Sequence, residues 1–527
     1  NCRVCVVEVK GWKKLVTSCS TKVQEGMEVF TESEKAEKER NMNIELIFAE
    51  HIEKCPNCVW RFECPLLRMA KEYNLLINRF PDRKGKRPIH KFGNAVELDS
   101  SQCIDCRNCI DACSILQNID YLELKGKGRD QDVVPVKKRT HHCILCGQCA
   151  VHCPVSAAQE QTNYEEVEEI IKKGEKIVVA QIAPSIRVSI GENFGMPYGK
   201  VVTGQIVAAL KQLGFNHVFD VNFGADLTTI IEAEELLERV TTDMPLPMFT
   251  SCCPGWVNYV EFYHPELIPN LTTSRSPQIH NGGAIKTYWA ERMKVDPANI
   301  VVVSIMPCTA KKYEANRPEM FIDGNKVVYY VLTNRELSFM IKKNNIDFPK
   351  LKAELADNPL GEYTGGAAIF GASGGVMESA LRSGHLLGCG NKTSGVCKRR
   401  VEFKEARGMK GVKDAEVEVA GKKLRIAVVN GIGNVEPVIE NLSKYQYIEV
   451  MACPGGSIVG GGQPIPTTPE IRQKRTEALS KHDKGLKLRI SAENKGAMKV
   501  VKWWKDRDMK HTAMHTFYKE RKENNYN

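Results

Sequence analysis

No apolar run in the 527-residue chain approaches the ~18 residues needed to cross a bilayer, and no charged start followed by an apolar run marks a secretory signal. A cytoplasmic protein without membrane contact is therefore expected. Position 1 lacks Met and Cys2 follows Asn1 directly, so the first domain is expected to be incomplete. Nor is the chain short of apolar residues: 42% hydrophobic and 26% charged residues exclude collagen-like and wholly disordered polypeptides. The length exceeds what one hydrophobic core normally serves and implies roughly two to four domains.

Acidic residues are outnumbered, 64 against 74 basic ones, and the excess of +10 is concentrated at one end. From Arg472 to Asn527 there are 16 Lys and Arg against 7 Asp and Glu. Alternating charges of this kind read as a solvated helix. The other reading of this stretch, which carries Trp503, Trp504, Phe517 and Tyr518, is a surface for nucleic acid or an acidic protein.

Cysteine is what the chain has in quantity. Twenty of them in a long chain without a signal point to metal or redox chemistry rather than to a disulfide framework. Cys389 and Cys397, in a Gly- and Lys-rich stretch, stand outside any group and read as surface thiols without a role. Cys2, Cys5 and Cys19 supply three of the four thiolates of a plant-type [2Fe-2S] centre, the fourth lying before residue 1; a zinc ribbon or stray thiols would leave the same trace. His51, Cys55, Cys58 and Cys64 place four soft or borderline ligands within 14 residues, after a helical pattern at 34–50. They suit a Cys3His zinc site or an iron–sulfur cluster with one imidazole ligand.

The next group tilts that choice. Cys103, Cys106, Cys109 and Cys113, then Cys143, Cys146, Cys149 and Cys153, repeat C-x2-C-x2-C-x3-C twice, the second run closing on Pro154 and the first on Ser114. This is the two-cluster bacterial ferredoxin signature. Three thiolates of each run hold one cubane and the fourth reaches across to the other. With two cubanes expected here, the preceding groups are expected to be clusters of the same electron-transfer series.

Beyond Pro154 a helical pattern at 161–174 and a buried strand at 176–182 open a stretch in which strand-like runs (300–305, 327–332, 424–429) alternate with helical ones (201–213, 227–240). That alternation argues for an α/β domain. N-G-I-G-N at 430–434 lacks the third glycine of a dinucleotide fingerprint and reads as a plain strand-to-helix turn. Three cysteine motifs sit at turns: T-S-C-C-P-G-W at 250–256, M-P-C-T-A-K-K-Y-E at 306–314, and E-V-M-A-C-P-G-G-S-I-V-G-G-G-Q-P at 449–464. On these residues, together with the cluster motifs upstream, essentially the whole chain resembles the iron-only ([FeFe]) hydrogenases.

The resemblance implies a multidomain α+β and α/β protein in which iron–sulfur electron-transfer modules precede an α/β H-cluster domain. Its parts would be a truncated plant-type [2Fe-2S] domain at 1–35, a His/Cys3 [4Fe-4S] domain at 36–96, a two-cluster ferredoxin-like domain at 97–165, and an H-cluster domain with a basic tail at 166–527. The implied cofactors are three accessory [4Fe-4S] clusters, a [2Fe-2S] cluster, and an H-cluster in which a [4Fe-4S] cubane joins a diiron unit bearing CO, cyanide and a dithiolate. The implied reaction is the reversible reduction of protons to H2. The implied partners are a ferredoxin or similar acidic electron carrier and hydrogenase maturation proteins; nucleic acid is not expected.

By motif, Cys253, Cys308 and Cys453 would ligate the cubane and Cys252 would be the proton-relay thiol. The relay would continue through Glu232, Glu235 and Arg239, which share one helix face at i, i+3 and i+7, and through Thr272, where the family has serine. Ala183, Pro184, Ser185, Gln278 and Lys311 would surround the diiron unit, Lys311 as a fixed ammonium facing cyanide. Met306, Phe370 and Met451 would pack against the cofactor.

One position departs from the pattern. Ser457 stands where the family's third motif has the cysteine that bridges cubane and diiron unit. A hydroxyl is a harder ligand with a far higher pKa than a thiol, so weak loading and reduced activity are expected. The rival expectation is a non-catalytic hydrogen sensor or electron-transfer protein that keeps the architecture without a working diiron unit.

Overall fold

A computed structural model of the chain describes residues 2–51, 55, 58–82, 87–137, 140–357, 359–390, 395–408 and 411–522. The N-terminal part is a small antiparallel sheet, order β2-β1-β3, of Val6–Val9 (β1), Val16–Thr17 (β2) and Val29–Phe30 (β3), leading into the helix Glu34–His51. Ile89–Phe92 (β4) and Val96–Asp99 (β5) then form a hairpin, and a second hairpin joins Leu122–Lys125 (β6) to Asp132–Pro135 (β7). Ala158–Glu160 (β8) closes the β4-β5 sheet, so strand 89–92 packs with the two-cluster unit across the expected boundary at 96/97.

Two sheets build the rest. The first has order β10-β9-β12-β13, all parallel, from Ile177–Ile182 (β9), His217–Asp220 (β10), Ile300–Met306 (β12) and Tyr330–Thr333 (β13). β9 and β12 are almost wholly buried apolar runs, as central parallel strands covered on both faces require. The strand expected at 327–332 begins only at Tyr330, although Val327 and Val328 are buried. The second sheet has order β11-β16-β15-β14, from Met248–Phe249 (β11), Val412–Val419 (β14), Lys422–Asn430 (β15) and Tyr447–Met451 (β16). β11, β16 and β15 run parallel, and β14 returns antiparallel along β15.

Helix Val221–Arg239 follows β10, is capped by the Asp220 carboxylate on Asn222 N, and is buried over most of its length. Asp220 also holds the buried Arg187 guanidinium at 2.8 Å. Between β15 and β16, N-G-I-G-N forms a 3-10 turn at Ile432–Asn434, and Asn430 Oδ1 accepts from Gly455 N at 2.6 Å, tying this turn to the third cysteine motif.

Two expectations are corrected. Cys389 and Cys397 are not isolated surface thiols: Cys389 is buried at the end of helix Gly375–Cys389, and Cys397, at the end of the 3-10 turn Gly395–Cys397, pairs with it in a disulfide, Cα–Cα 5.4 Å. The basic C-terminal stretch is not a freely solvated helix. Helix Lys495–Asp506 buries Ala497, Val500, Val501 and Trp504, and Trp504 Nε1 donates to Thr287 Oγ1. Beyond it Thr516 N donates to Thr273 O and Arg521 N to Glu261 O, strapping the tail to the domain. Of the aromatic residues there, Phe517 is exposed while Tyr518 packs inside. No helix among the described residues is long and apolar enough to cross a membrane.

Candidate active site

The cysteines of the N-terminal arm lie in separate groups. Cys5, Cys19 and Cys2 lie together beside β1, the Cys5 and Cys19 thiols within hydrogen-bonding reach. His51, at the end of its helix, lines a cavity of about 290 Å³ with Cys55, Cys58 and Cys64; residues 52–54 and 56–57 lie outside the described chain. The two ferredoxin runs share a backbone pattern. Asp105 and Arg107 take positive φ in the first, Leu145 and Gly147 in the second. Asp105 N and Leu145 N each donate to the sulfur two residues back at 3.4 Å, and Tyr121 N and Ala158 N cover Cys113 and Cys153 at the same distance.

The fourth cysteines cross over. Cys153 faces Cys106 and Cys109 of the first run, while Cys113 lines one cavity with Cys143, Cys146 and Cys149. Burial pushes the Cys146 thiol up to about 12 and Cys143 and Cys149 well above the ordinary range. Thiolates in such places need positive partners, and ligation to iron supplies them. The donors ring cavities instead of converging on a point, which suits a group several atoms across.

A cavity of about 80 Å³ lies where the C-terminal ends of strands from both sheets meet, the usual place for ligands of parallel α/β sheets. β9 delivers Ala183, Pro184 and Ser185; β12 delivers Met306 and Cys308. From the second sheet, β11 leads to Cys252 and Cys253, and β16 to Met451, Cys453 and Ser457. Gln278, Lys311 and Phe370 complete the wall from helical segments. Burial pushes the Cys308 thiol up to about 12 and Cys453 well beyond its ordinary range, with neighbouring thiols adding to both.

The polar groups here are half satisfied. Lys311 Nζ donates to Glu314 (2.8 and 3.1 Å) and to Cys252 O (3.0 Å). Gln278 Nε2 donates to Glu314 Oε2 at 2.7 Å and to Lys311 O at 3.1 Å, and Ser276 Oγ donates to Glu314 at 2.7 Å. Gln278 Oε1 and Ser185 Oγ are buried with no partner among the described residues. Buried thiols, orphaned polar atoms and a braced ammonium together fit an anionic iron–sulfur cofactor with polar ligands.

Behind Cys252 the helix Val221–Arg239 presents a line of carboxylates. Glu232 Oε1 accepts from Tyr447 O–H at 2.7 Å. Burial pushes Glu232 up to about 8, and Cys252 well above its ordinary range, with Glu232 the first charge adding to it. Glu235 accepts from Thr272 Oγ1 at 2.7 Å and from Arg239 at 2.7 and 3.0 Å.

The profile of the iron only hydrogenase large subunit, C-terminal domain, matches residues 176–461, and that of a 2Fe-2S iron-sulfur cluster binding domain matches residues 1–34. The chain is 38% identical over 516 residues to iron hydrogenase 1 of Clostridium pasteurianum, covering 95% of this chain and 88% of that one. It is 38% identical over 537 residues to the NADP-reducing hydrogenase subunit HndD of Solidesulfovibrio fructosivorans, covering 99% and 91%. Among solved structures, a variant of apo [FeFe]-hydrogenase HydA1 from Chlamydomonas reinhardtii matches with a TM-score of 0.59 at 33% identity, over 68% of this chain and 99% of that one. The chain belongs to the iron-only hydrogenases.

In this hydrogenase the arm abuts the catalytic domain. Gln148 Nε2, beside Cys149, donates to Cys453 Sγ at 3.2 Å and to Val459 O at 3.1 Å. Thr309 Oγ1, next to Cys308, donates to Leu145 O at 2.9 Å. Gly147, at φ +71°, and Gly461 allow this contact, since a Cβ on Gly147 would stand 2.9 Å from Gly461 Cα. Sequence reasoning missed Gln148, Glu314, Tyr447 and Glu449. Glu449 accepts from Gly374 N (2.6 Å) and Met377 N (2.7 Å), pinning the turn after Phe370, and burial pushes it up to about 7. The E-V-M-A-C string contains Glu449 and the M-P-C-T-A-K-K-Y-E string contains Glu314, so both were readable as parts of motifs.

Proposed function

We propose that the chain reduces protons to H2 and runs the reverse reaction, drawing electrons through its N-terminal iron–sulfur modules. One observation carries the reading: the three signature thiols, Cys253, Cys308 and Cys453, come from two different sheets and meet in one cavity with Lys311, Gln278 and Ser185. When bound, the H-cluster supplies the redox centre at which protons and electrons combine. Cys253, Cys308 and Cys453 would hold its cubane. The orphaned Ser185 Oγ, with Gln278 and Lys311, would hold the diiron unit through its polar ligands. Glu314 keeps the Lys311 ammonium in place, a compact cation suited to a small anion in a dry pocket.

Cys252 keeps its proton because burial disfavours the thiolate, so it offers an S–H at the inner end of the route. Glu232, held protonated by burial and oriented by Tyr447, carries the proton onward to Glu235 and Thr272. On the electron side, the site of Cys113, Cys143, Cys146 and Cys149 stands next to the catalytic thiols, joined to Cys453 through Gln148. A small acidic ferredoxin-type carrier in the cytoplasm is the electron partner this arm suits. CO and cyanide ligands are made by no residue on the cavity wall, so maturation proteins supply the diiron unit.

Ser457 sits on the cavity wall four residues past Cys453, and we assign it the place of the cysteine that the family's third motif has there. A hydroxyl there leaves the diiron unit anchored by hydrogen bonds and packing alone. Loading with a diiron precursor followed by infrared spectroscopy tests both statements. CO and cyanide bands with H2 evolution support the hydrogenase reading; cubanes alone, in the parent and in Ser457→Cys, would remove it. Ser457→Cys is expected to raise diiron occupancy and H2 evolution together. Equal rates in parent and variant under equal maturation would show the thiolate to be dispensable.

A further inference from the structure

Arg239 closes the buried carboxylate line instead of extending it. Its five N–H groups are all engaged, two on Glu235 Oε1 and three on the carbonyls of Pro245, Pro269 and Leu271 at 2.9 to 3.0 Å. A guanidinium has no lone pair to accept a proton and does not give one up in proteins. A proton on Glu235 needs another way to solvent.

The second oxygen of Glu235 offers one. Oε2 accepts from Thr272 Oγ1 at 2.7 Å and from Thr273 Oγ1 at 3.1 Å. Thr272 is fully buried and faces inward. Thr273 is only half-buried, and its Oγ1 stands 2.8 Å from His515 Nδ1 on the C-terminal strap. His515 is itself partly exposed. The strap holds it there: Arg275 Nε donates to His515 O at 3.0 Å, Thr516 N donates to Thr273 O at 2.8 Å, and Ser274 pairs with His515 in an antiparallel bridge.

We propose that Thr273 and His515 are the solvent outlet of the proton route, a branch that leaves Glu235 and bypasses Arg239. The proposal rests on the reading of Glu232 and Glu235 as the inner route. A hydroxyl has one proton, so a Thr273 that donates to Glu235 accepts from His515 Nδ1–H, leaving His515 Nε2 as the acceptor of the neutral ring. For inward transfer, Nε2 takes a proton from water, Nδ1–H passes to Thr273 Oγ1, and the Thr273 hydroxyl proton passes to Glu235 Oε2. One proton enters at Nε2, one arrives on Glu235, and the ring ends as the other tautomer, restored by exchange with solvent. Outward transfer reverses each step.

The surroundings keep His515 a conductor instead of a proton trap. Burial, joined by the charges of Lys510, His511 and Lys505 and opposed by Glu235, lowers its pKa to about 4. Arg275 and His280 also stand beside it, and the segment carrying Glu319 packs on the same strap.

The test uses the full chain in D2O. The infrared C=O band of protonated Glu232, identified by its loss in Glu232→Gln, shifts as its proton exchanges, with no turnover required. Thr273→Val and His515→Ala are each expected to slow this exchange about tenfold or more. Thr273→Ser keeps the hydroxyl and should recover most of the rate, and added imidazole should rescue His515→Ala but not Thr273→Val. H2 evolution in a Ser457→Cys background should follow the same order. Parent exchange rates in Thr273→Val and His515→Ala, with slow exchange in Glu235→Gln, would overturn the outlet while leaving the inner route intact. Parent rates in Glu235→Gln as well would remove the inner route and the outlet with it. Failure of imidazole to rescue His515→Ala would remove His515 from the branch.

Discussion

Glu232 ionises with difficulty where it stands. Burial takes its carboxyl from an ordinary 4.5 up to about 8, against the Tyr447 hydrogen bond and with Glu235 and Glu449 adding to the shift. A carboxyl raised in the folded state makes its full contribution to stability below its unfolded pKa and loses it as pH climbs through the folded value. Glu232→Gln removes that loss. Relative to the parent, the variant should gain stability between about pH 5 and pH 8, by a few kcal/mol at about 1.4 kcal/mol per unit. Thermal unfolding across this range at equal cluster content is the check, and parallel curves would mean that Glu232 is ionised in the fold. Cys252→Ala, made in a Ser457→Cys background, should lower H2 evolution about a hundredfold or more without loss of iron. If iron is lost with activity, Cys252 is a ligand and not a relay. Cys103 was legible because ligand spacing in the ferredoxin runs is local in sequence, and Cys308 because its motif resembles that of the family. Tyr447 and His515 were not, because their partners Glu232 and Thr273 lie 215 and 242 residues away.

Elements show the same division. The ferredoxin runs declare themselves because the same spacing occurs twice, and the fold answers with positive φ at Asp105 and Leu145 and at Arg107 and Gly147. The helix Lys495–Asp506 was harder to read. Its Ala497, Val500, Val501 and Trp504 follow the i, i+3, i+4, i+7 pattern of a buried stripe, but lysines between them give the appearance of a solvated face. The contact of arm and catalytic domain is also invisible in sequence, because it depends on the absence of side chains at Gly147 and Gly461. A Cβ at Gly461 would stand 2.6 Å from Cys146 O and 2.8 Å from Gly147 Cα, backbone atoms with little room to move. Gly461→Ala should therefore cost about 1–3 kcal/mol, read as a lowered unfolding midpoint. An unchanged midpoint would show that the arm shifts freely on the domain.

Across the whole molecule the site is a seam. Cys308 comes from the first sheet and Cys253 and Cys453 from the second, so a cubane bound by all three ties the sheets together. Hydrogen exchange should record this. Within the catalytic portion, iron loading is expected to slow exchange most at residues 183–185, 252–256 and 451–460, where the strand ends meet, and little in the edge strand β14. Uniform protection, or none at the strand ends, would argue against a ligand set shared by the sheets. The α/β class and the signature cysteines were legible from the sequence. The meeting of the sheets was not, because it is fixed by long-range pairing, as where β11 joins β16 through Met248 and Tyr447.

That pairing makes the catalytic portion indivisible. β11 is carried to the second sheet from between β10 and β12 of the first, so no single cut in the polypeptide separates the two sheets. The N-terminal cysteine groups, by contrast, follow one another along the chain before β9 begins. The part that holds the H-cluster has no such joint: a gene must inherit it whole, and recombination within it leaves a thiol on the wrong side of the break.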